Sequence, residues 1–192
     1  MKVILGVSNR HVHLNKDDYY TLFGDEPMNK VKDLRQPGQF ASDKFVTIKN
    51  GDRQISHVRV LGPIRNYTQV EISKTDSFTL KVNPPIRTSG DLEGSSPITI
   101  VGPKGELNLD KGCILANRHL HISPEEVKKY GLEGVKKVKV KVDGEKGGIL
   151  NNVHLKIIEP SLLEMHIDTD EGNAFGVKTG DELEIIELER DE

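Results

Sequence analysis

Several kinds of residue are scarce in this chain, and each scarcity excludes a class of protein. A single cysteine, Cys113, among 192 residues excludes an internal disulfide framework. No apolar run approaches the roughly 18 residues that a membrane-spanning helix requires, and the segment after Met1 turns polar too soon for a secretory signal. The net charge of −3 argues against nucleic acid or an anionic membrane as the main partner. We therefore expect a cytoplasmic protein, or one inside a cytosolic compartment.

Aromatic residues are also scarce, and the apolar residues that remain favour strands. Tryptophan is absent, and the apolar residues are mostly Val, Ile and Leu. Short β-branched runs predict strands at 45–48, 58–61, 68–72, 98–101 and 135–142. Glycine and proline separate these runs and predict turns. Many short strands with frequent turns favour a barrel or a sandwich over a parallel α/β sheet, so the predicted fold class is mainly β with short helices.

A six-residue phrase occurs twice and is the strongest signal in the sequence. Asn-Arg-His-Val-His-Leu at 9–14 returns as Asn-Arg-His-Leu-His-Ile at 117–122, and the two copies hold four of the seven histidines. Each copy is followed by a predicted helix start, with Asn15 or Ser123 as the N-cap residue. Each predicted helix stops near a glycine, at Gly24 in the first copy and at Gly131 in the second. The chain is therefore predicted to be an internal duplication.

Composition also predicts where the two halves meet. The segment 83–97 lies between the repeats and is rich in Pro, Gly and Ser. It predicts two domains, residues 1–90 and 91–192, each with one copy of the repeated phrase. The polar segment 187–192 is expected to fray at the end of the second domain.

The repeated His-x-His pairs predict two metal sites. On a strand, residues i and i+2 point to the same face about 6.5–7 Å apart, so two imidazoles can converge on one ion. The third ligands follow from a second alignment, in which Val-Glu-Ile-Ser at 70–73 matches Met-His-Ile-Asp at 165–168. Glu71 then takes the place of His166, and both residue types bind zinc. The predicted sites are His11, His13 and Glu71 in the first half, and His119, His121 and His166 in the second.

Structural alternatives stay open at these positions. Glu71 is also compatible with a surface carboxylate, and His166 with a structural histidine. Asp168 and Asp170 follow His166, and they either orient a ligand imidazole or cap a turn.

Three other reactive residues fit structural roles better. His57 and His154 lie in strand-like segments without a matched partner, so structural or exposed roles are favoured. Cys113 aligns with Leu5 of the first repeat and is interpreted as a small buried hydrophobe rather than as a nucleophile.

Four motifs, in order along the chain, carry a family resemblance. They are Val-Ser-Asn-Arg-His-Val-His-Leu at 7–14, Gln-Pro-Gly-Gln-Phe at 36–40, Val-Arg-Val-Leu-Gly-Pro-Ile-Arg at 58–65 and Glu-Met-His-Ile-Asp-Thr-Asp-Glu at 164–171. Together they resemble the PduL-type phosphate acyltransferases, or phosphotransacylases. The resemblance implies two closely packed, internally duplicated β-barrel domains and two zinc ions per chain. It also implies the exchange of a short-chain acyl-CoA (propionyl-CoA or acetyl-CoA) plus inorganic phosphate for acyl phosphate plus coenzyme A (CoA).

The resemblance also implies roles for individual residues. The zinc ligands of the family fall on the same six residues that the repeat predicts. Its phosphate-binding arginine falls on Arg65, the predicted catalytic residue, and Gln39 is expected to line the site. Its CoA contacts fall on Val7, Ser8, Asn9, Lys32, Arg59, Leu61 and Asn173.

The expected reaction is a direct attack of phosphate on the thioester. The chain has no Gly-x-Ser-x-Gly elbow, so a covalent acyl-enzyme is not expected. Two alternatives are a two-domain cupin-like metalloenzyme and a zinc-stabilised binding module. Cupins usually place their glutamate within a few residues of the His pair, whereas Glu71 lies far beyond His13. Closed structural zinc sites commonly use several cysteines, and this chain has one.

The first motif also bears on localisation. Many family members in bacterial microcompartments carry an amphipathic N-terminal extension, but Ser8 already belongs to the first motif. The expectation is a free cytoplasmic enzyme, or a chain trimmed of its extension. A homo-oligomer is compatible with the sequence.

Overall fold

The computed structural model describes residues 1–190, and within them it is mainly β-structure. Fourteen strands lie in the described residues: β1 Lys2–Ser8, β2 His11–His13, β3 Lys30–Asp33, β4 Phe40–Asn50, β5 Arg53–Gly62, β6 Gln69–Glu71, β7 Ile86–Arg87, β8 Ser96–Val101, β9 Glu106–Ala116, β10 His119–Ile122, β11 Val135–Val142, β12 Gly148–Ile157, β13 Glu164–Asp168 and β14 Glu182–Arg190. The helices of the same residues are short: α1 Lys16–Phe23, α2 Lys74–Leu80, α3 Pro124–Lys129 and α4 Thr169–Phe175. The predicted fold class is confirmed, and the five predicted strands correspond to β4, β5, β6, β8 and β11.

One compact unit, which we call the central barrel, comprises Asn9–Ala116. Six of its strands close a ring in the order β4, β5, β2, β6, β9, β8, and β3 and β7 extend the sheet beside β4 and β9. Alternate residues of these strands point inward, and Val12, Val60 and Val70 are fully buried in the core. The residues between them therefore point away from the core.

The second compact unit, which we call the terminal barrel, comprises Met1–Ser8 and the chain from Asn117 onward. Its ring is closed in the order β1, β13, β10, β12, β11, β14. The alternation of Val and Lys in β11 places Val138, Val140 and Val142 in the core and leaves the lysines on the outer face. The lysines of β11 are thus exposed or half-buried, whereas its valines are buried.

The two rings follow the same pattern, which confirms the duplication. The order β13, β10, β12, β11 in the terminal barrel matches β6, β2, β5, β4 in the central barrel. In each ring, however, the strand that pairs in parallel with the third-ligand strand, β13 or β6, comes from the other repeat. Strand β1 precedes β2 in sequence but pairs with β13, and β9 precedes β10 but pairs with β6. The two repeats have exchanged their first strands.

This exchange moves the boundary between the units. The expected boundary after residue 90 lies inside the central barrel, between β7 and β8. The Pro-, Gly- and Ser-rich segment 83–97 contains the short strand β7 and the loop from there to β8. The chain beyond this loop returns as β8 and β9 to close the ring against β4 and β6. Composition identifies an irregular loop, but it does not show which strands pair across it.

Local signals at the helix ends were mostly confirmed. The side chain of Asn15 caps α1 by accepting from the amide of Asp18, and Ser123 forms a capping box at the start of α3. Gly24 and Gly131 both adopt a φ of 65° just after these helices.

The expectation of a frayed end was wrong for most of its length. Strand β14 continues to Arg190, and its last residues pair with β11, with Glu187 opposite Lys139 and Leu188 opposite Val138. Residues 191–192 lie outside the described residues. No helix within residues 1–190 is long and apolar enough to cross a membrane.

The exchanged strands predict how fragments of the chain behave. Fragment 9–116 contains every strand of the central barrel, so we expect a cooperative thermal unfolding transition, measured by circular dichroism. Fragment 1–90 lacks β8 and β9 and leaves unpaired strand edges at β4 and β6, so we expect it to stay unfolded or to aggregate. A cooperative transition in fragment 1–90, or none in fragment 9–116, would contradict the exchange.

Candidate metal sites

Three buried side chains converge on the outer face of the central barrel, and we call them the central site. His11 and His13 lie on β2, and Glu71 lies on the antiparallel neighbour β6, directly opposite His11. Nε2 of His11 is 3.4 Å from Oε2 of Glu71, and Nε2 of His13 is 4.0 Å from Oε1. A tetrahedral zinc ion with bonds of about 2.0–2.1 Å keeps its ligand atoms about 3.3–3.4 Å apart. The donor set and its spacing therefore fit one zinc ion.

Three histidines form the corresponding terminal site in the other barrel. His119 and His121 lie on β10, and His166 lies on β13, directly opposite His119. Nε2 of His119 and Nε2 of His121 are 3.1 Å apart, and one ligand atom from each of the three rings lies within 4.8 Å of the others. A set of three imidazoles with an open position is also a zinc-binding set. The structure thus brings together all six predicted ligands, in the two predicted groups.

The asparagine of the repeated phrase orients the first histidine through its main chain. Nδ1 of His11 is 2.8 Å from the carbonyl oxygen of Asn9, and Nδ1 of His119 is 2.9 Å from that of Asn117. A ring that donates from Nδ1 to a carbonyl presents Nε2 to the metal. The same hydrogen bond therefore fixes the tautomer in both sites.

The arginine of the repeated phrase joins the strand of the first two ligands to the helix after the third. Arg10 makes two hydrogen bonds to Asp76, at 3.0 and 2.7 Å, and Arg118 pairs with Glu171. Asp76 and Glu171 are the capping-box acids of α2 and α4, the helices that follow Glu71 and His166. The repeated Asn-Arg thus makes equivalent contacts beside both candidate sites.

Electrostatics connect Arg65 with the central site. Burial lowers the pKa of His11. The charge of Glu71, the hydrogen bond to Glu71 and the hydrogen bond to the Asn9 carbonyl raise it by more, so the pKa of His11 is raised overall. The charge of Arg65 lowers the pKa of His11 and so opposes this rise. The main-chain amide of Arg65 donates to the carbonyl of Leu14, and Nη1 donates to the hydroxyl of Tyr67 at 2.6 Å.

Three of the residues assigned to CoA share the outer face with the central site. Arg59 lies on β5 directly beside His11, with its guanidinium 4.3 Å from the ring centroid of Phe45. Leu61 lies two residues further along the same face. Ala41 of β4 lies directly opposite Leu61 on one side and Lys32 of β3 on the other. Gln39 is half-buried in the turn before β4, where its carbonyl accepts from the amide of Leu34.

Two other CoA candidates line a cavity in the terminal barrel. The cavity has a volume of about 360 Å³ and is lined by Val7, Asn173, Lys178 and the residues around them. Ser8 ends strand β1, next to Val7, and Asn9 follows it, exposed at the start of the central barrel.

The remaining reactive residues have local explanations. His57 is exposed and stacks on Phe45, with ring centroids 3.8 Å apart. His154 lies directly opposite His119 in the sheet, and the sequence did not predict this adjacency. Burial raises the pKa of Cys113 to about 12, which agrees with a buried hydrophobe rather than a nucleophile. Asp168 caps α4, so the capping alternative is correct for that residue.

Sequence reasoning missed a buried carboxylate beside the terminal site. Oε2 of Glu164 is 3.0 Å from Nε2 of His166, and Glu164 is 3% exposed. The signal was present, because Glu164 precedes the third ligand by two residues and therefore shares its face. Gln69 holds the same place before Glu71.

A glycine makes room for the third ligand of the terminal site. Gly6 on β1 is directly opposite His166, and a Cβ atom at this position would lie 2.8 Å from Cδ2 and 2.9 Å from Nε2 of that ring. In the central barrel, Ile114 lies opposite the smaller Glu71. The imidazole thus requires a glycine where the carboxylate tolerates a branched side chain.

Substitution of this glycine should weaken the terminal site selectively. In Gly6→Ala the methyl group displaces the His166 ring, and we expect the zinc affinity of one of the two sites to fall on the order of tenfold or more. Competition with a chromophoric chelator measures this change. Gly148→Ala is the matched control, because its methyl group meets the ring of Phe175 at 3.1 Å instead. Equal zinc affinities in the Gly6→Ala variant and the unmodified chain would contradict the role of Gly6.

The sequence is similar to known proteins over most of its length. A family model described as phosphate propanoyltransferase matches residues 4–178. A phosphate propanoyltransferase of Thermotoga maritima is 50% identical over 188 residues, which cover 97% of this chain and 90% of that protein. Those of Rhodopseudomonas palustris and Salmonella typhimurium are 44% and 46% identical, over 96% and 90% of this chain and 82% of each relative. The chain belongs to the phosphate propanoyltransferase family, as its four motifs predict.

Proposed function

We propose that this chain is a zinc-dependent phosphate acyltransferase that interconverts a short-chain acyl-CoA plus phosphate with acyl phosphate plus CoA. Propionyl-CoA is the first candidate substrate because the relatives are named phosphate propanoyltransferases, and acetyl-CoA is the second. The observation that carries the proposal is the central site, where two histidines and one glutamate are buried together and Arg65 is hydrogen-bonded through its main chain to Leu14, the residue after His13.

The metal assignment is supported by the chemistry of the donor sets. His11, His13 and Glu71 would hold one zinc ion, and the three histidines of the terminal site would hold the other. Bound zinc would act as a Lewis acid toward the thioester carbonyl. The cupin-like alternative predicts iron or manganese instead, so metal analysis of the purified protein separates the two.

Arg65 is suited to hold phosphate. A guanidinium has five N–H donors, and one of them is used by the hydroxyl of Tyr67. The other N–H groups can bind two phosphate oxygens in a fork. The main-chain hydrogen bond from Arg65 to Leu14 holds Arg65 beside the residue that follows His13. Phosphate held there can attack the carbonyl carbon through one oxygen. The carbon–sulfur bond then breaks, and its electron pair leaves on the CoA thiolate.

The CoA assignments are supported by charge and shape. Lys32 and Arg59 supply positive charge on the face that carries the central site, which suits the phosphate groups of CoA. The cavity between Val7 and Asn173 has an apolar wall and a cation, Lys178, at its edge. We assign this cavity to part of CoA.

The first test is the phosphate requirement. Purified protein should release thiol from propionyl-CoA only when phosphate is present, because phosphate is the nucleophile. A thiol-reactive dye follows the release, and a parallel assay with acetyl-CoA compares the two acyl groups. Release at the same rate in phosphate-free buffer would indicate a thioesterase and overturn the proposal.

The second test is Arg65→Ala. Loss of a charged hydrogen-bond donor costs about 1.5–3 kcal/mol, so we expect the KM for phosphate to rise roughly 10- to 100-fold, or turnover to be lost. Both zinc ions should stay bound, because Arg65 is not a ligand. Arg53→Ala removes the same charge from an exposed position of the same barrel and serves as the control. Full activity of Arg65→Ala at low phosphate would show that the assigned role is wrong.

A further inference from the structure

Each third ligand has a polar neighbour two residues earlier on the same strand. Gln69 precedes Glu71 on β6 and lies directly opposite His13, and Glu164 precedes His166 on β13 and lies directly opposite His121. The two neighbours therefore occupy equivalent positions in the two barrels. Both are buried, which is unusual for these residue types without a partner.

In the central barrel, this neighbour donates to the ligand. Nε2 of Gln69 donates to Oε1 of Glu71 at 2.6 Å and to the hydroxyl oxygen of Ser89 at 2.9 Å. The amide of Gly90 donates to Oε1 of Gln69 at 2.7 Å, so the side-chain amide is held at both ends. The carboxylate of Glu71 therefore has one oxygen held by Gln69, while Oε2 faces His11.

In the terminal barrel, the chemistry is reversed. The neighbour is a carboxylate, and its Oε2 lies 3.0 Å from Nε2 of the His166 ring. An amide donor thus accompanies a carboxylate ligand in one barrel, and a carboxylate acceptor accompanies an imidazole ligand in the other. A glutamate in place of Gln69 would place two acceptors at the contact with Glu71, and a glutamine in place of Glu164 would offer the His166 ring a weaker acceptor.

The orientation of the His166 ring indicates which nitrogen remains for a metal. Strand β13 lies between β1 and β10. The ring edge with Cδ2 and Nε2 lies over Gly6 of β1 and beside Glu164, on the side of β13 away from β10. Nδ1 lies across the ring from this edge, and β10, with His119 and His121, is the neighbour of β13 on that other side.

We propose that Glu164 is the positioning residue of the terminal site, accepting a hydrogen bond from Nε2 of His166 so that this ring presents Nδ1 to the metal. The inference rests on the proposed function, because it takes the terminal site to bind zinc. Glu164 also gives the terminal site the buried negative charge that Glu71 gives the central site. A carboxylate behind a ligand imidazole fixes its tautomer and raises its basicity.

The test compares two isosteric variants of the terminal barrel. Glu164→Gln keeps the shape of the side chain and removes its charge, and we expect the zinc affinity of the terminal site to fall roughly 10- to 100-fold while the central site is unchanged. Glu184→Gln makes the same change at an exposed position on β14 and should leave both affinities unchanged. Titration with zinc against a chromophoric chelator measures both sites without any assay of activity.

The unmodified chain supplies a second measurement that does not depend on how the variant folds. In the zinc-loaded protein, long-range ¹H–¹⁵N correlation spectra should show His166 with its proton on Nε2 and His119 with its proton on Nδ1. A proton on Nδ1 of His166, or unchanged zinc affinity in Glu164→Gln, would overturn the role of Glu164. Uptake of fewer than two zinc ions by the unmodified chain would instead count against the proposed function.

Discussion

Everything at the two candidate sites depends on the antiparallel register between the strand with the histidine pair and the strand with the third ligand. This register places His11 opposite Glu71, and His119 opposite His166. Side chains alternate between the faces of a strand, so a slip of one residue would replace a ligand by a core residue such as Val70. The buried valines and leucines of the two cores resist this slip, because it would expose them. Burial of apolar side chains on one face thus fixes the geometry of the polar face.

The sequence was sufficient to predict which six side chains come together, because the chain contains two copies of the same arrangement. Repetition separated His11 and His13 from ordinary histidines, and the second alignment identified Glu71 and His166 although they differ in chemistry. The strand positions followed from β-branched runs, and the helix starts followed from Asn15 and Ser123.

The features that were missed depend on pairing between distant segments. The exchange of β1 and β9 leaves no local trace, because each strand has the same apolar pattern in either barrel. The burial of Glu164 followed from its register, and a glutamate in isolation is more often exposed. The arginines of the repeated phrase were noticed as a pattern, but their partners Asp76 and Glu171 became evident only from the folded chain.

The exchanged first strands have a consequence for the history of the duplication. With this connectivity, a single repeat lacks the parallel strand that completes its own ring, whereas two copies can each complete the ring of the other with a first strand. Identical copies would be constrained to identical ligands. Once both copies lie in one polypeptide, each position can vary alone, and the pairs Gln69–Glu71 and Glu164–His166 are where the two copies have diverged in a matched way.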